Sequence, residues 1–329
     1  MQAAWFSKFG KAADVIVVGE HPTPVPGPGE VLVQLATSGV NPSDVKKRAG
    51  SQPALLAAGE IIPHSDGGGT IIAVGAGVEP GRLGQRVWVY QAQFQRRFGT
   101  AAEFVTLEAR RAVPLPENTS FEVAACLGIP AMTAHRCVLA DGPVAGQIVL
   151  VTGGAGRVGR YAIQWAKLAG ATVLATASNA ADSQECRELG ATEVFNHREA
   201  GWGKAVDAWT GGAKVQRVVD VEFGANLLEV LDCIRVGGVI ATYSSVQVPE
   251  PKLPFLRMMY MDLSLRLVIV YSMPEAAKQQ AITDITRELL AGTLQHRIAA
   301  CLPLAELAEA HELIEQGQVR GCVVVTVGA

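Results

Sequence analysis

The stretch QIVLVTGGAGRVGRYAIQWAKLAGATVLATAS, residues Gln147–Ser178, decides the fold. Ile148 to Thr152 is a short apolar, β-branched run, as a strand buried on both faces would be. Gly153, Gly156 and Gly159 follow at three-residue spacing. Tyr161 to Leu168 carries apolar residues at helical spacing, and Gly170 is placed to end that helix. Val173 to Ala177 reads as the next strand. Strand, glycine turn, helix, strand is how a dinucleotide fold begins, and this context separates the triplet from an ordinary tight turn. A Cβ at those glycines would hold a pyrophosphate off the backbone. The first turn of the helix offers free N–H groups and the positive end of its dipole. Gly153, Ala155, Gly156, Arg157, Val158 and Gly159 are therefore the expected diphosphate cradle. Arg157 and Arg160 stand near the helix start, either facing phosphates or as solvated surface charges.

At 329 residues the chain is long enough for two domains with their own cores. An apolar fraction of 49% and a charged fraction of 18% fit a globular protein. A net charge of −3 gives no electrostatic reason to expect a nucleic-acid partner. No apolar run approaches the ~20 residues of a membrane span, and residues 1–14 lack the apolar core of a signal peptide. The expected location is the cytoplasm. The six cysteines are scattered without a C-x-x-C pair, which excludes zinc-ribbon spacing and leaves buried reduced thiols.

Residues 1 to about 120 read as β-rich, with short runs such as Asp14–Val18, Glu30–Ala36, Thr70–Val74 and Arg86–Tyr90 between closely spaced glycines. That pattern suggests a compact barrel-like domain. From Phe121 onward helices alternate with strands, as a doubly wound sheet requires. The expected strands are Glu193–Phe195, Val215–Val221, Val239–Tyr243 and Leu265–Tyr271. The tail adds a helix, Leu304–Glu315, and a strand, Cys322–Val327, that returns to the first domain.

This order of segments resembles the medium-chain dehydrogenase/reductase superfamily, and within it the zinc-free quinone oxidoreductases of the zeta-crystallin type. The residues that carry the resemblance are Val40-Asn41-Pro42-Ser43-Asp44, Gly75 to Val87, Gly128-Ile129-Pro130-Ala131-Met132-Thr133-Ala134, the glycine loop, and Gly190 through Glu199. The resemblance implies an α/β fold: a Rossmann doubly wound parallel sheet plus a β-rich GroES-like barrel. The expected domains are 1–122, completed by 290–329, and 123–289. Zinc-dependent relatives place a cysteine at Asn41 and His-Glu at Ser65-Asp66, and the cysteine-rich structural lobe is missing here. His64 alone cannot hold a Lewis-acid metal, so no zinc is expected. Without a metal to activate an alcohol, the site points to acceptors that are already electrophilic, quinones or α,β-unsaturated carbonyls.

The resemblance puts Asn41 beside nicotinamide and substrate, where an amide orients a carbonyl; its alternative is a turn residue before Pro42. Asp44, Tyr90, Phe94, Ile129 and Tyr271 are the expected substrate walls, and Thr133 the nicotinamide side, with a helix cap as its alternative. Many relatives carry tyrosines where this chain has Val45 and Gln52. Open α/β sheets bind ligands at the carboxyl ends of strands. Gly224, Tyr243, Ser244, Ser245, Val246, Ile269, Val270 and Tyr271 should therefore border the cofactor. NAD readers place an acid about 20 residues past the last glycine. Ser178-Asn179 stand there instead, and His197 matches a position near the adenosine phosphate, so NADPH is expected ahead of NADH. Asp182 and Cys322, where many relatives are basic, run the other way. The resemblance also implies a homodimer formed through the cofactor domains. Three readings follow: an NADPH-dependent quinone reductase, by hydride or single-electron transfer; a reductase of enals or enones; and an NADPH-binding protein without catalysis.

Overall fold

The computed structural model describes residues 1–317 and 319–328. Its strands are β1 (Gln2–Trp5), β2 (Val17–Glu20), β3 (Glu30–Val40), β4 (Asp66–Val74), β5 (Arg86–Val89), β6 (Phe104–Glu108) and β7 (Ala112–Pro114). Then come β8 (Ile148–Val151), β9 (Thr172–Ala177), β10 (Glu193–Asn196), β11 (Val215–Asp220), β12 (Ile234–Thr242) and β13 (Ser264–Leu267). The last two are β14 (Ile298–Pro303) and β15 (Cys322–Thr326). Two compact units result, Met1–Ile129 with Ile282–Ala329, and Pro130–Ala281. The division falls inside the long helix Glu275–Ala291.

In the first unit the sheet order is β14-β15-β3-β4-β5-β7, with β6 also paired to β3. Alternate residues of β3 (Val31, Val33, Leu35) meet Val87, Val105, Leu107, Val323 and Val325 in one apolar core. The tail strand β15 lies antiparallel to β3, Val325 opposite Ser38, as the sequence suggests. Asp14–Val18 is not a strand. Ala12–Val15 is a helical turn, because only Val17–Glu20 finds a partner, in β1.

In the second unit the order is β10-β9-β8-β11-β12-β13, all parallel. The order reverses between β8 and β11, the topological switch point at which such sheets bind ligands. The run Val149–Val151 is fully buried, which explains its unbroken apolar sequence. Leu265–Tyr271 is shorter as a strand than expected. β13 stops at Leu267 because its partner β12 stops at Thr242, and a 3-10 turn, Val270–Ser272, follows.

The helix after the glycine loop starts at Arg157, with Gly156 as its N-cap and no side chain capping it. Gly153 has φ +59°, and a Cβ on Gly159 would sit 2.4 Å from the Gly153 carbonyl oxygen. At Gly156 the same oxygen would be 3.1 Å away. We predict that Gly159→Ala lowers stability by about 1–3 kcal/mol and Gly156→Ala by clearly less. Thermal melts check this, and equal losses would contradict the geometry.

Candidate active site

In the first unit Asn41 caps the short helix Pro42–Arg48 and is 3% exposed. Its backbone N–H donates to Asp44 Oδ2 (3.0 Å) and its Nδ2 to Asp66 Oδ2 (2.9 Å). The backbone N–H of Ile129 donates to the same Asp66 oxygen at 2.8 Å. Asn41, Asp44 and Ile129, chosen from the sequence, thus converge on Asp66, which the sequence singled out only as a missing metal ligand. Lys47, one helical turn past Asp44, lies 4.0 Å from its Oδ1 and donates to Gln93 Oε1 at 2.6 Å.

Every charge in this cluster is buried. Desolvation pushes Asp66 up to about 8 and Asp44 up to about 6, and it lowers Lys47 against the pull of Asp44 and Asp66. At neutral pH Asp66 is protonated, and Asp44 and Lys47 form an ion pair, so the cluster carries no net charge. Asp66 Oδ2 already receives two N–H groups, so its proton sits on Oδ1, which has no hydrogen-bond partner among the described residues.

Both ring nitrogens of His64 are engaged in hydrogen bonds. Thr100 Oγ1 donates to the Asp66 carbonyl (2.7 Å), so Ser38 Oγ donates to Thr100 (2.8 Å). His64 Nδ1–H therefore donates to Ser38 (2.8 Å), and His311 Nε2–H to His64 Nε2 (2.9 Å). Burial lowers both imidazoles, His311 to about 3, and keeps them neutral. Tyr90 is buried with its ring 5.7 Å from that of Trp88, and Phe94 lies half-buried on the following turn.

In the second unit the glycine loop is tied to the end of β9. Gly153 N–H donates to Thr176 Oγ1 (3.0 Å) and Gly154 N–H to the Thr176 carbonyl (2.9 Å). His197 Nδ1 lies 3.2 Å from the same hydroxyl, so the structure brings His197 to the loop. Arg160 does not face the loop's ligand side; it is buried and paired with Glu185 at 2.5 Å. Asn179 has a structural use as well. Its Oδ1 caps the helix Ala180–Glu188, and its Nδ2 donates to Asp182 Oδ2 (2.8 Å), which sets a carboxylate beside the β9 end. Ser178 is half-buried and Thr133 buried in the helix Met132–Leu139.

At the switch point Asp220 Oδ1 receives Thr152 Oγ1 (2.6 Å) and Asn226 Nδ2 (2.8 Å), and desolvation raises its pKa. Tyr243, Ser244, Ser245 and Ile269 line one cavity of about 520 Å³ at the ends of β12 and β13. Gly224 N–H donates to Ser245 Oγ (2.9 Å), so Gly224 holds this wall from beneath. Val246 is exposed, its N–H bonded to Glu222 Oε2 (2.9 Å), and Val270 and Tyr271 are buried. Sequence reasoning missed Lys47, Gln93 and Asp220. Lys47, spaced i+3 from Asp44, was the one visible signal.

Residues 27–117 match the alcohol dehydrogenase GroES-like domain, and residues 158–287 the family described as zinc-binding dehydrogenase. The second match spans none of Asn41, Ser65 and Asp66. The quinone oxidoreductase of Rattus norvegicus is 30% identical over 319 residues, 95% of this chain and 93% of its own. A crystal structure of an NAD-dependent alcohol dehydrogenase superposes with TM-score 0.88 at 31% identity, covering 100% of both chains. A mycobacterial protein complexed with NADPH superposes with TM-score 0.87 at 28% identity, covering 99% of this chain and 100% of its own. The chain belongs to the zeta-crystallin-like quinone oxidoreductase branch of the medium-chain dehydrogenase/reductase superfamily and is an oxidoreductase.

The raised carboxyl of Asp66 sets a pH dependence. The folded chain keeps that proton up to about pH 8, and the unfolded chain releases it near the ordinary value of 3.8. Its contribution to stability is full below that value and is lost as pH rises through 8. Asp66→Asn keeps an oxygen acceptor for both N–H donors and does not titrate. The melting temperature of the wild type should therefore fall relative to Asp66→Asn between pH 5 and pH 9. Parallel melting curves across that range would refute the assignment.

Proposed function

We propose that the protein is an NADPH-dependent reductase of quinones that works without zinc. The observation that carries this reading is the Asn41–Asp66 hydrogen bond at 2.9 Å. It closes, with an amide and a neutral carboxyl, the positions where zinc-dependent relatives place metal ligands, and His64 has both ring nitrogens engaged. The residues present fit a dinucleotide: a loop closed by Gly153 at positive φ and by Gly159 packed against the Gly153 carbonyl, and a helix start at Arg157 with no side-chain cap. Gly153, Ala155, Gly156, Arg157, Val158 and Gly159 would hold the diphosphate. Thr133, Ser178, His197, Gly224, Tyr243, Ser244, Ser245, Val246 and Ile269–Tyr271 would border the rest. When bound, the reduced nicotinamide supplies a hydride. Asp66 fixes one N–H of the Asn41 amide and leaves the other to donate to the acceptor oxygen. The uncharged cluster behind Asn41 does not repel the oxyanion that develops there.

Two observations favour neighbouring readings. Val45 and Gln52 remove the phenols of many quinone reductases, which favours enals or enones. Asp182, held beside the β9 end, favours NADH, because a carboxylate there repels a 2′-phosphate. One experiment separates them: dissociation constants for NADPH and NADH, then turnover on a quinone panel and an alkenal panel, with and without a chelator. The expected result is tighter NADPH, faster quinone turnover, no effect of the chelator, and a loss in kcat/KM of about tenfold to hundredfold in Asn41→Ala. Loss of activity to the chelator or tighter NADH binding overturns the corresponding part. Tight NADPH binding with no turnover on either panel would leave a binding protein.

We also propose a cytoplasmic homodimer. β13 is the edge of its sheet, and Phe255, Leu256, Tyr260 and Leu267 beside it are 64–79% exposed. Such an edge invites pairing with a second copy. Six free cysteines, five of them buried, suit a reducing compartment. Sedimentation of the wild type should give a dimer and that of Leu267→Glu a monomer; a monomeric wild type removes this part.

A further inference from the structure

A second, smaller cavity of about 170 Å³ is lined in part by the segment Leu267–Ile269, in the same unit. Its walls include Arg136, Arg266 and Ser272. Three guanidinium groups crowd here against one carboxylate. Arg217, fully buried, donates to the carbonyls of Val138 and Asp141, the latter at 2.8 Å. Arg266 grips Asp141 with two bonds, Nε to Oδ2 at 2.6 Å and Nη2 to Oδ1.

Arg136 is different. It is half-buried, and among the described residues its guanidinium makes no hydrogen bond and no ion pair. Burial, and then the Arg266 cation, push its pKa down, and only the distant pull of Asp141 and the Cys137 thiol opposes them. The Cys137 thiol is itself held protonated by burial. Two positive charges are thus left uncompensated around a cavity, and one of them presents unpaired donors. Half-buried, the Arg136 donors are still reached by water, which an anion can displace.

We infer that this cavity is a binding site for a small oxyanion, a carboxylate or phosphate group clamped by Arg136 beside Arg266. The planar fork of Arg136 matches the paired oxygens of both groups, and the Arg266 cation, its own fork held by Asp141, adds only its charge. The cavity shares Leu267, Val268 and Ile269 with the larger cavity that holds Tyr243 and Ser244. A bound anion therefore rests against the segment proposed to border the nicotinamide. The site itself stands whether or not that proposal holds.

Calorimetric titration of the full chain with inorganic phosphate and with succinate, at matched ionic strength, tests it. One saturable anion per chain is expected, and the tighter of the two ligands identifies the occupant's chemistry. Arg136→Gln should weaken binding at least about tenfold. Ser272→Asp should do the same without touching an arginine, by placing a carboxylate on the exposed wall. Absence of saturable binding in the wild type overturns the inference. So does binding that stays within about twofold in both variants, which puts the anion at the glycine loop. A change of sedimentation in Arg136→Gln with no change in anion affinity also overturns it, and makes the arginine a contact for a second copy of the chain.

Discussion

The backbone of Gly159 lies where a single added carbon would collide with the carbonyl of Gly153. On that absence of a side chain rests the meeting of β8, the loop and the helix Arg157–Leu168. The loop closes tightly because Gly153 takes a positive φ, and it is fastened to β9 through Thr176. One threonine hydroxyl thus links the first two strands of the parallel sheet, and His197 from the third reaches the same atom. These contacts also set the start of that helix, whose first turn has no side-chain cap.

The other unit answers a different constraint, how to bury several charges in one cluster. Two carboxyls and a lysine are taken out of water in one cluster. Desolvation is large enough to leave a proton on Asp66, and the remaining pair, Asp44 and Lys47, cancels. The hydrogen bonds from Asn41 and Ile129 then fix the amide at the centre of the candidate site. The histidine chain from His311 to the Asp66 carbonyl pins the tail helix to the same strand. Chemistry and fold thus share one set of buried polar groups, a demanding arrangement because each unpaired member would be costly.

Much of the fold was legible before any coordinates. The buried run of β8, the three glycines and the apolar spacing of the following helix each obey a local rule, and the tail strand declared itself by the same β-branched density. The errors were local too. Asp14–Val18 and Leu265–Tyr271 have the residues of strands, but a strand exists only as far as its partner runs, and partners are not written in the segment itself. Asn179 shows a role that its segment did not reveal: the amide expected to meet a ribose also caps a helix.

By itself, then, the sequence determined the class of sheet, the place of the glycine loop, the family and the residue types at the positions where zinc-dependent relatives hold metal ligands, because these depend on spacing along the chain. Only the tertiary structure decided that Asp66 gathers Asn41 and Ile129, that Lys47 neutralises Asp44, that Asp182 lies beside the β9 end, and that Arg136 faces a cavity with its donors unpaired among the described residues. Those facts depend on distances between segments up to more than a hundred residues apart and on how much water is excluded between them. Neither quantity has any expression until the chain is folded.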